Sequence, residues 1–272
     1  MTDLYQYGVC RLACVHLRQE PSHTSEMVSQ LLFGEAYRVN SISENFKWLN
    51  IKTLYDDYTG WIQIEQHLEV SEMYFLEYER KRLKFKVLKQ RYALVGLDDG
   101  TEFLISIGSV LPFEKNNMVY LGDVKVEILD KPYKVKVNDG MSLSKEILIQ
   151  VDKFLGAPYL WGGRSIFGVD CSGFVQQVYK TISAHYFLPR DSSQQAKIGV
   201  EVPLSEAKIG DLAFFSNEKG NIHHVGILLD KKSIVHASGE VKIDKIDERG
   251  IQNKNLGNTH QLAFVKRILA DD

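Results

Sequence analysis

Asp170-Cys171-Ser172-Gly173-Phe174-Val175-Gln176-Gln177-Val178-Tyr179-Lys180-Thr181-Ile182 is the stretch on which the reading of this chain turns. Phe174, Val175, Val178, Tyr179 and Ile182 recur at helical spacing and form one apolar stripe, so the segment predicts a helix beginning at Cys171. A helix start leaves backbone N–H groups unpaired and carries the positive end of the dipole. Both favour a thiolate, and the same N–H groups can hold an oxyanion. The neighbouring residues are small or polar, which suits an exposed turn. Cys171 is therefore the candidate nucleophile.

A nucleophile needs a base, and the sequence beyond the helix offers two histidines. Strand-like runs occur at Leu212–Phe215, Val225–Leu229, Ser233–Ala237 and Leu262–Ile268. If the second and third pair as a hairpin over Asp230-Lys231-Lys232, His236 lies opposite Gly226. His224 is then its diagonal neighbour on the same face, roughly 7 Å away at the backbone, with Gly226 leaving room between the rings. An even loop would put the two histidines on opposite faces. The expectation is nucleophile Cys171, base His224 and orienting His236, with His223 turned to the other face. His16, His23, His67, His185 and His260 read as structural or surface residues. Upstream, Ser144 is expected to cap a helix carrying Ile147, Leu148, Val151, Phe154 and Leu155, closed by Gly156 and Pro158. This unit, 141–272, is thus α+β: helices first, an antiparallel sheet after.

Before Asp139-Gly140 the patterning is different. Residues 1–70 alternate short β-type runs with turns: Val28 to Phe33, Ala36 to Ile42, Trp48 to Thr53 and Gly60-Trp61-Ile62, the signature of a small β-barrel. Residues 71–140 continue in strands at Phe103–Ile107 and Val124–Leu129 around the turn Asp98-Asp99-Gly100, and predict a second β unit. The mixed-sign run from Glu77 to Arg82 reads as solvated surface.

The 272 residues are 44% hydrophobic and 25% charged, which excludes disorder and coiled coil. Thirty-three basic against 35 acidic side chains, a formal charge of -2, give no bulk electrostatic attraction to nucleic acid or anionic membranes. No apolar run reaches the roughly 18 residues of a membrane span, and Met1 to Gln6 lacks the basic head and apolar run of an export signal, so a cytoplasmic protein is expected. Three cysteines are too few for a disulfide scaffold. Cys10 and Cys14 on one strand would stand roughly 13 Å apart, beyond bridging distance, and read as packing residues.

Six pieces now align in order: Pro158-Tyr159-Leu160-Trp161-Gly162-Gly163, Asp170 to Phe174, Pro189-Arg190-Asp191-Ser192-Ser193-Gln194-Gln195, Gly210-Asp211-Leu212, His224-Val225-Gly226-Ile227 and His236-Ala237-Ser238. With them the chain resembles the NlpC/P60 cysteine peptidases, which cut bacterial cell-wall peptides. The resemblance implies a papain-like catalytic domain in which the cysteine and first histidine do the chemistry and the third polar residue orients the base. Residues 1–70, through Gln30 to Glu35, Trp48 to Ile51 and Tyr58 to Ile62, are similar to a bacterial SH3-type barrel; the middle unit matches one only loosely. Such a barrel ahead of the catalytic domain is similar to the arrangement in γ-D-glutamyl-L-diamino acid endopeptidases that recycle murein peptides. There a barrel Glu and Tyr hold the free amine of N-terminal L-Ala, which implies those roles for Glu35 and Tyr58. The resemblance further implies substrate-binding roles for Tyr159, Trp161, Asp170, Ser172, Arg190, Asp191 and Ser192.

The expected protein is therefore two SH3-like β barrels and an NlpC/P60 domain. It would be a monomeric, cofactor-free and metal-free cysteine endopeptidase acting on L-Ala-γ-D-Glu-L-diamino acid peptides, with no nucleic-acid or membrane partner. An amidase or acyltransferase on the same thiol scaffold, a non-catalytic wall-peptide binder and a Cys/His/His zinc site are the alternatives, and each requires different chemistry of the same residues.

Overall fold

A computed structural model describes residues 6–130, 142–183, 186–253 and 257–269. The expected turn at Asp139-Gly140 and the reading of His185 lie outside them. In the amino-terminal unit, β1 (Tyr7–Val9), β2 (Cys14–Arg18), β3 (Met27–Leu32), β4 (Ala36–Ile42), β5 (Trp48–Thr53) and β6 (Thr59–Gln63) form one antiparallel sheet in the order β1-β4-β5-β6-β2-β3. Leu17, Leu31, Leu49, Ile51 and Ile62 close its core. Cys10 and Cys14 are free thiols, Cys10 buried and Cys14 half-buried.

The middle unit begins with a helix where continuous β structure is expected, α1 (Glu72–Lys81). Phe75 and Tyr78, three residues apart, bury one face, and the Tyr78 hydroxyl donates to the Gly34 carbonyl at 2.7 Å. The charged run is therefore only partly solvated: Glu77 pairs with Lys81 in the open, while Arg82 donates to the Leu54 carbonyl at 2.7 Å. The strands β7 (Lys86–Val87), β8 (Tyr92–Leu97), β9 (Glu102–Ser106), β10 (Val110–Leu111), β11 (Met118–Leu121) and β12 (Val124–Ile128) form a four-stranded sheet, β11-β12-β8-β9, and the pair β10-β7. One hydrophobic cluster joins Val9, Phe33 and Ala36 to Val95, Ile105 and Val126, so a boundary at residue 70 cuts through a shared core.

In the third unit α2 (Leu143–Phe154) has Ser142 rather than Ser144 at its N-cap position, with no side-chain capping bond, and the chain leaves it through Gly156, whose φ of 80° is open to glycine without strain. A short hairpin, β13 (Arg164–Ser165) with β14 (Gly168–Val169), leads into α3 (Cys171–Ile182), and α4 (Ser192–Gln195) follows. The sheet runs β15 (Val200–Val202), β21 (Gly257–Arg267), β16 (Leu212–Ser216), β17 (Ile222–Asp230), β18 (Ser233–Ser238), β19 (Glu240–Asp247), β20 (Gly250–Asn253), with β20 also pairing back to β21. Helix α3 packs Phe174, Val175 and Val178 on Val225, Ile227 and Val235 of this sheet. Burying an aliphatic side chain of this size contributes about 1.5–3 kcal/mol. Among the described residues no helix is long and apolar enough to cross a membrane.

The hairpin register is the expected one, reached by another route. Ile227 faces Val235 and Leu228 faces Ile234, but Asp230 pairs with Ser233, so the turn is Lys231-Lys232 and Leu229 is bulged out. A two-residue turn plus one bulge has the same parity as a three-residue loop.

Candidate active site

Three ring nitrogens and a carboxylate form one hydrogen-bonded chain. His224 Nε2 lies 2.9 Å from His236 Nδ1, and His236 Nε2 lies 3.0 Å from Asp244 Oδ2. Gly226 is required between the histidines, since a Cβ there would stand 2.9 Å from His236 Cβ and 2.7 Å from Ile234 Cδ1. Burial, with His260, His236 and His223 adding to it, lowers the His224 pKa well below the usual 6.5 and keeps the ring neutral. Burial also lowers His236, against the opposing pull of Asp244.

Cys171 opens α3 as the periodicity predicts, and Asp170 caps that helix by accepting from Gly173 N at 2.7 Å. The cysteine is not in an exposed turn, however. It is 6% exposed, and burial followed by the Asp170 carboxylate pushes the thiol up to about 12, outweighing the helix start that favours a thiolate. Burial thus disfavours the charged form of both the thiol and the imidazole, and the two line one cavity.

That cavity, about 660 Å³, is lined by Cys171, His224 and Ser172, and by Tyr58, Tyr159, Trp161, Asp170, Arg190, Asp191 and Ser192. His236 is not on its wall and stands behind His224. Asp170 and Arg190 form a buried two-pronged ion pair, Arg190 also donating to Ser172 Oγ at 3.0 Å and to Ser29 Oγ of β3 at 3.1 Å. They stiffen the floor. Tyr58 donates to Asp191 Oδ1 at 3.3 Å across the seam between the amino-terminal and third units. Burial raises the Asp191 carboxyl, and burial with Asp191 raises Tyr58 to about 12.

Glu35 is the expected substrate ligand that the structure removes from the groove. It is 2% exposed, and both carboxylate oxygens accept from Arg164 at 2.9 Å. Lys180 Nζ donates to Oε1 at 2.5 Å, and the backbone N–H of Leu32 to Oε2 at 2.9 Å. Burial alone would raise this carboxyl; Arg164 and Lys180 overcome it and hold the pKa at about 2. Glu35 ties the amino-terminal unit to β13 and α3. The acid that unit does send into the groove is Glu26, at the entry to β3, which accepts from Trp161 Nε1 at 2.6 Å.

Two histidines read as peripheral belong to the site. The His260 ring of β21 lies 4.3 Å from the His224 ring, tilted by 30°, and both it and His223 line the cavity. The expectation that His223 faces away fails because the β16–β17 ladder slips there: Phe215 pairs with His224 but Ser216 with Ile222, which leaves His223 as the bulged residue.

Residues 156–260 match the NlpC/P60 family and residues 17–66 the bacterial dipeptidyl-peptidase SH3 domain. A γ-D-glutamyl-L-lysine dipeptidyl-peptidase of Bacillus subtilis is 34% identical over 225 residues, covering 77% of this chain and 71% of the relative.

This chain belongs to the NlpC/P60 family.

A Bacillus cereus enzyme of the same name is 41% identical over 103 residues, 37% of this chain and 30% of the relative. The fold agrees over the full set of units: the crystal structure of an NlpC/P60 family protein from Bacillus cereus superposes with a TM-score of 0.77 at 21% identity, covering 97% of this chain and 100% of that one. As an NlpC/P60 peptidase with an SH3 domain at its amino-terminal end, the chain places the family's thiol unit beside a wall lent by that domain, through Glu26 and Tyr58.

Proposed function

We propose that this peptidase hydrolyses the bond between γ-D-Glu and an L-diamino acid in murein peptides whose N-terminal L-Ala carries a free amine, as a step in peptide recycling. The observation that carries the reading is that Tyr58 of the SH3 domain donates to Asp191 of the peptidase unit in the same cavity that Glu26 of the SH3 domain and Cys171 line. An ammonium leaving water needs anionic acceptors, and Glu26 and Asp191 supply two, with the Tyr58 hydroxyl as a third polar partner. A glycan-linked L-Ala has a neutral amide in that place and leaves the carboxylates unmatched. The names of the two Bacillus relatives agree with a γ-D-glutamyl substrate.

In the reaction, the Cys171 S–H gives its proton to His224 as sulfur attacks the γ-carbonyl. Backbone N–H groups at the start of α3 take the oxyanion. The protonated His224 then passes its proton to the amine of the departing diamino acid, leaving an acyl-enzyme that water resolves with His224 again as base. His236 holds the base in place. We also read the middle unit as a second SH3-like barrel, on its six short antiparallel strands around Val95, Ile105, Val119 and Val126.

The test is mass spectrometry of products from L-Ala-γ-D-Glu-diaminopimelate, its lysine counterpart and their N-acetylated forms. Free-amine peptides should yield L-Ala-γ-D-Glu and the diamino acid, and acetylated ones should stay intact. Equal cleavage of both forms, or a cut at another bond, rejects the assignment.

A further inference from the structure

We propose that Asp244 is a positioning residue for catalysis, one that sets the tautomer in which His224 works; the inference rests on the thiol mechanism above. A carboxylate only accepts hydrogen bonds, so the contact between Asp244 Oδ2 and His236 Nε2 at 3.0 Å places the His236 proton on Nε2. A neutral imidazole has one N–H, and burial keeps His236 neutral, so its Nδ1 is a lone pair. His224 Nε2, 2.9 Å away, can then only donate to it. The single proton of neutral His224 is thereby committed to Nε2, and its Nδ1 is left as the basic nitrogen for the thiol. Were His236 to carry its proton on Nδ1 instead, His224 would have to accept at Nε2 and carry its own on Nδ1, and neither nitrogen would be free for Cys171.

The strand register delivers Asp244 to this place. In the β18–β19 hairpin His236 pairs with Lys242 and Ile234 with Asp244, so Asp244 is the diagonal neighbour of His236 on one face. Its carboxylate is 23% exposed, with Lys242 Nζ at 3.9 Å, so no buried scaffold depends on it. When His224 takes the thiol proton, the new positive charge lies two hydrogen bonds from this carboxylate, which stabilises it without accepting a proton. The other ionisable groups facing the base are His260 of β21, His223 of β17 and Cys171 of α3. None of these fixes the His236 proton.

The experiment compares Asp244→Asn, Asp244→Glu and Cys171→Ala in the full chain, reading kcat and KM on the free-amine tripeptide and, independently, histidine tautomers by ¹⁵N NMR. The wild type should show His224 protonated on Nε2 and bare at Nδ1. Asp244→Asn should lower kcat by about 10²–10⁴-fold with KM changed by less than about threefold, the scale seen when a catalytic histidine is left in the wrong tautomer. In that variant a proton should appear on His224 Nδ1, and Asp244→Glu should restore part of kcat. A wild-type His224 protonated on Nδ1 overturns the inference, as does an Asp244→Asn enzyme within about threefold of wild type while Cys171→Ala is dead. Activity surviving in Cys171→Ala would instead bring down the thiol mechanism itself.

Discussion

Trp161 of the peptidase unit donates its indole N–H to the carboxylate of Glu26 of the SH3 domain at 2.6 Å, 135 residues apart in sequence. The contact holds an exposed acid at the end of the groove where the substrate amine is proposed to sit. Glu26→Gln should therefore lower kcat/KM on the free-amine tripeptide by about 1–2 kcal/mol, the value of one hydrogen bond to a charged group reduced for exposure. Steady-state kinetics on the free-amine peptide would check it. A drop in kcat at unchanged KM would contradict a binding role.

Cys171→Ala should abolish turnover, by at least about 10³-fold, while the tripeptide still binds, because the thiol makes the covalent bond and adds little ground-state contact. Isothermal titration with the intact substrate reads the binding arm directly.

Glu35→Gln should unfold the protein before it alters the chemistry. Removing the anion strands Arg164 and Lys180 in a buried site, at a cost of about 3–5 kcal/mol. The native carboxyl is held near 2, below its unfolded value near 4.5, so its contribution is fully present above about pH 4.5 and fades as pH falls toward 2. Denaturant titrations of wild type and variant should accordingly converge on acidification across that window.

His260→Ala should shift the acid limb of kcat/KM to higher pH. The reaction needs neutral His224, whose pKa burial and the neighbouring histidines lower beneath 6.5, so the wild type should stay active into mild acid. Removing the ring at 4.3 Å readmits water and lets that pKa climb back. His260→Phe retains the cover and should keep the acid limb low. Profiles between about pH 4 and 8 decide between them.

Gly226→Ala should disturb the histidine pair with little change elsewhere, since the added methyl meets His236 Cβ and the Ile234 side chain at 2.7–2.9 Å. Overpacking of this kind costs about 1–3 kcal/mol in stability, and kcat should fall alongside it as His236 is displaced.

The thiol helix and the histidine pair were legible because both are local. Phe174, Val178 and Ile182 announce a helix by spacing, and the parity of a hairpin decides which side His224 and His236 share. Glu35 is not placed by sequence, because a carboxylate after a glycine turn looks the same whether Arg164, 129 residues away, meets it or a substrate does. Asp244 could have been found by extending the alternating pattern one strand past Gly239, whose φ of 75° marks the turn. His223 and His260 could not, since one sits at a ladder slip and the other arrives from a strand far along the chain. Helix α1 was hidden because its apolar face is only Phe75 and Tyr78 within a charged run.

The seam along β3 has an evolutionary corollary. Gly162 approaches so closely that a side chain there would strike the Met27 carbonyl at 2.3 Å, Arg164 donates to both the side chain and backbone of Gln30, and Arg190 reaches Ser29. A recombination event that grafted the peptidase unit onto another partner would carry off Cys171 while leaving behind the part of the cavity wall that Glu26 and Tyr58 form. A peptidase unit without the barrel would keep Cys171 and His224 but lose Glu26 and Tyr58 from the cavity wall, so the shape of the groove belongs to the docked pair and not to either unit alone.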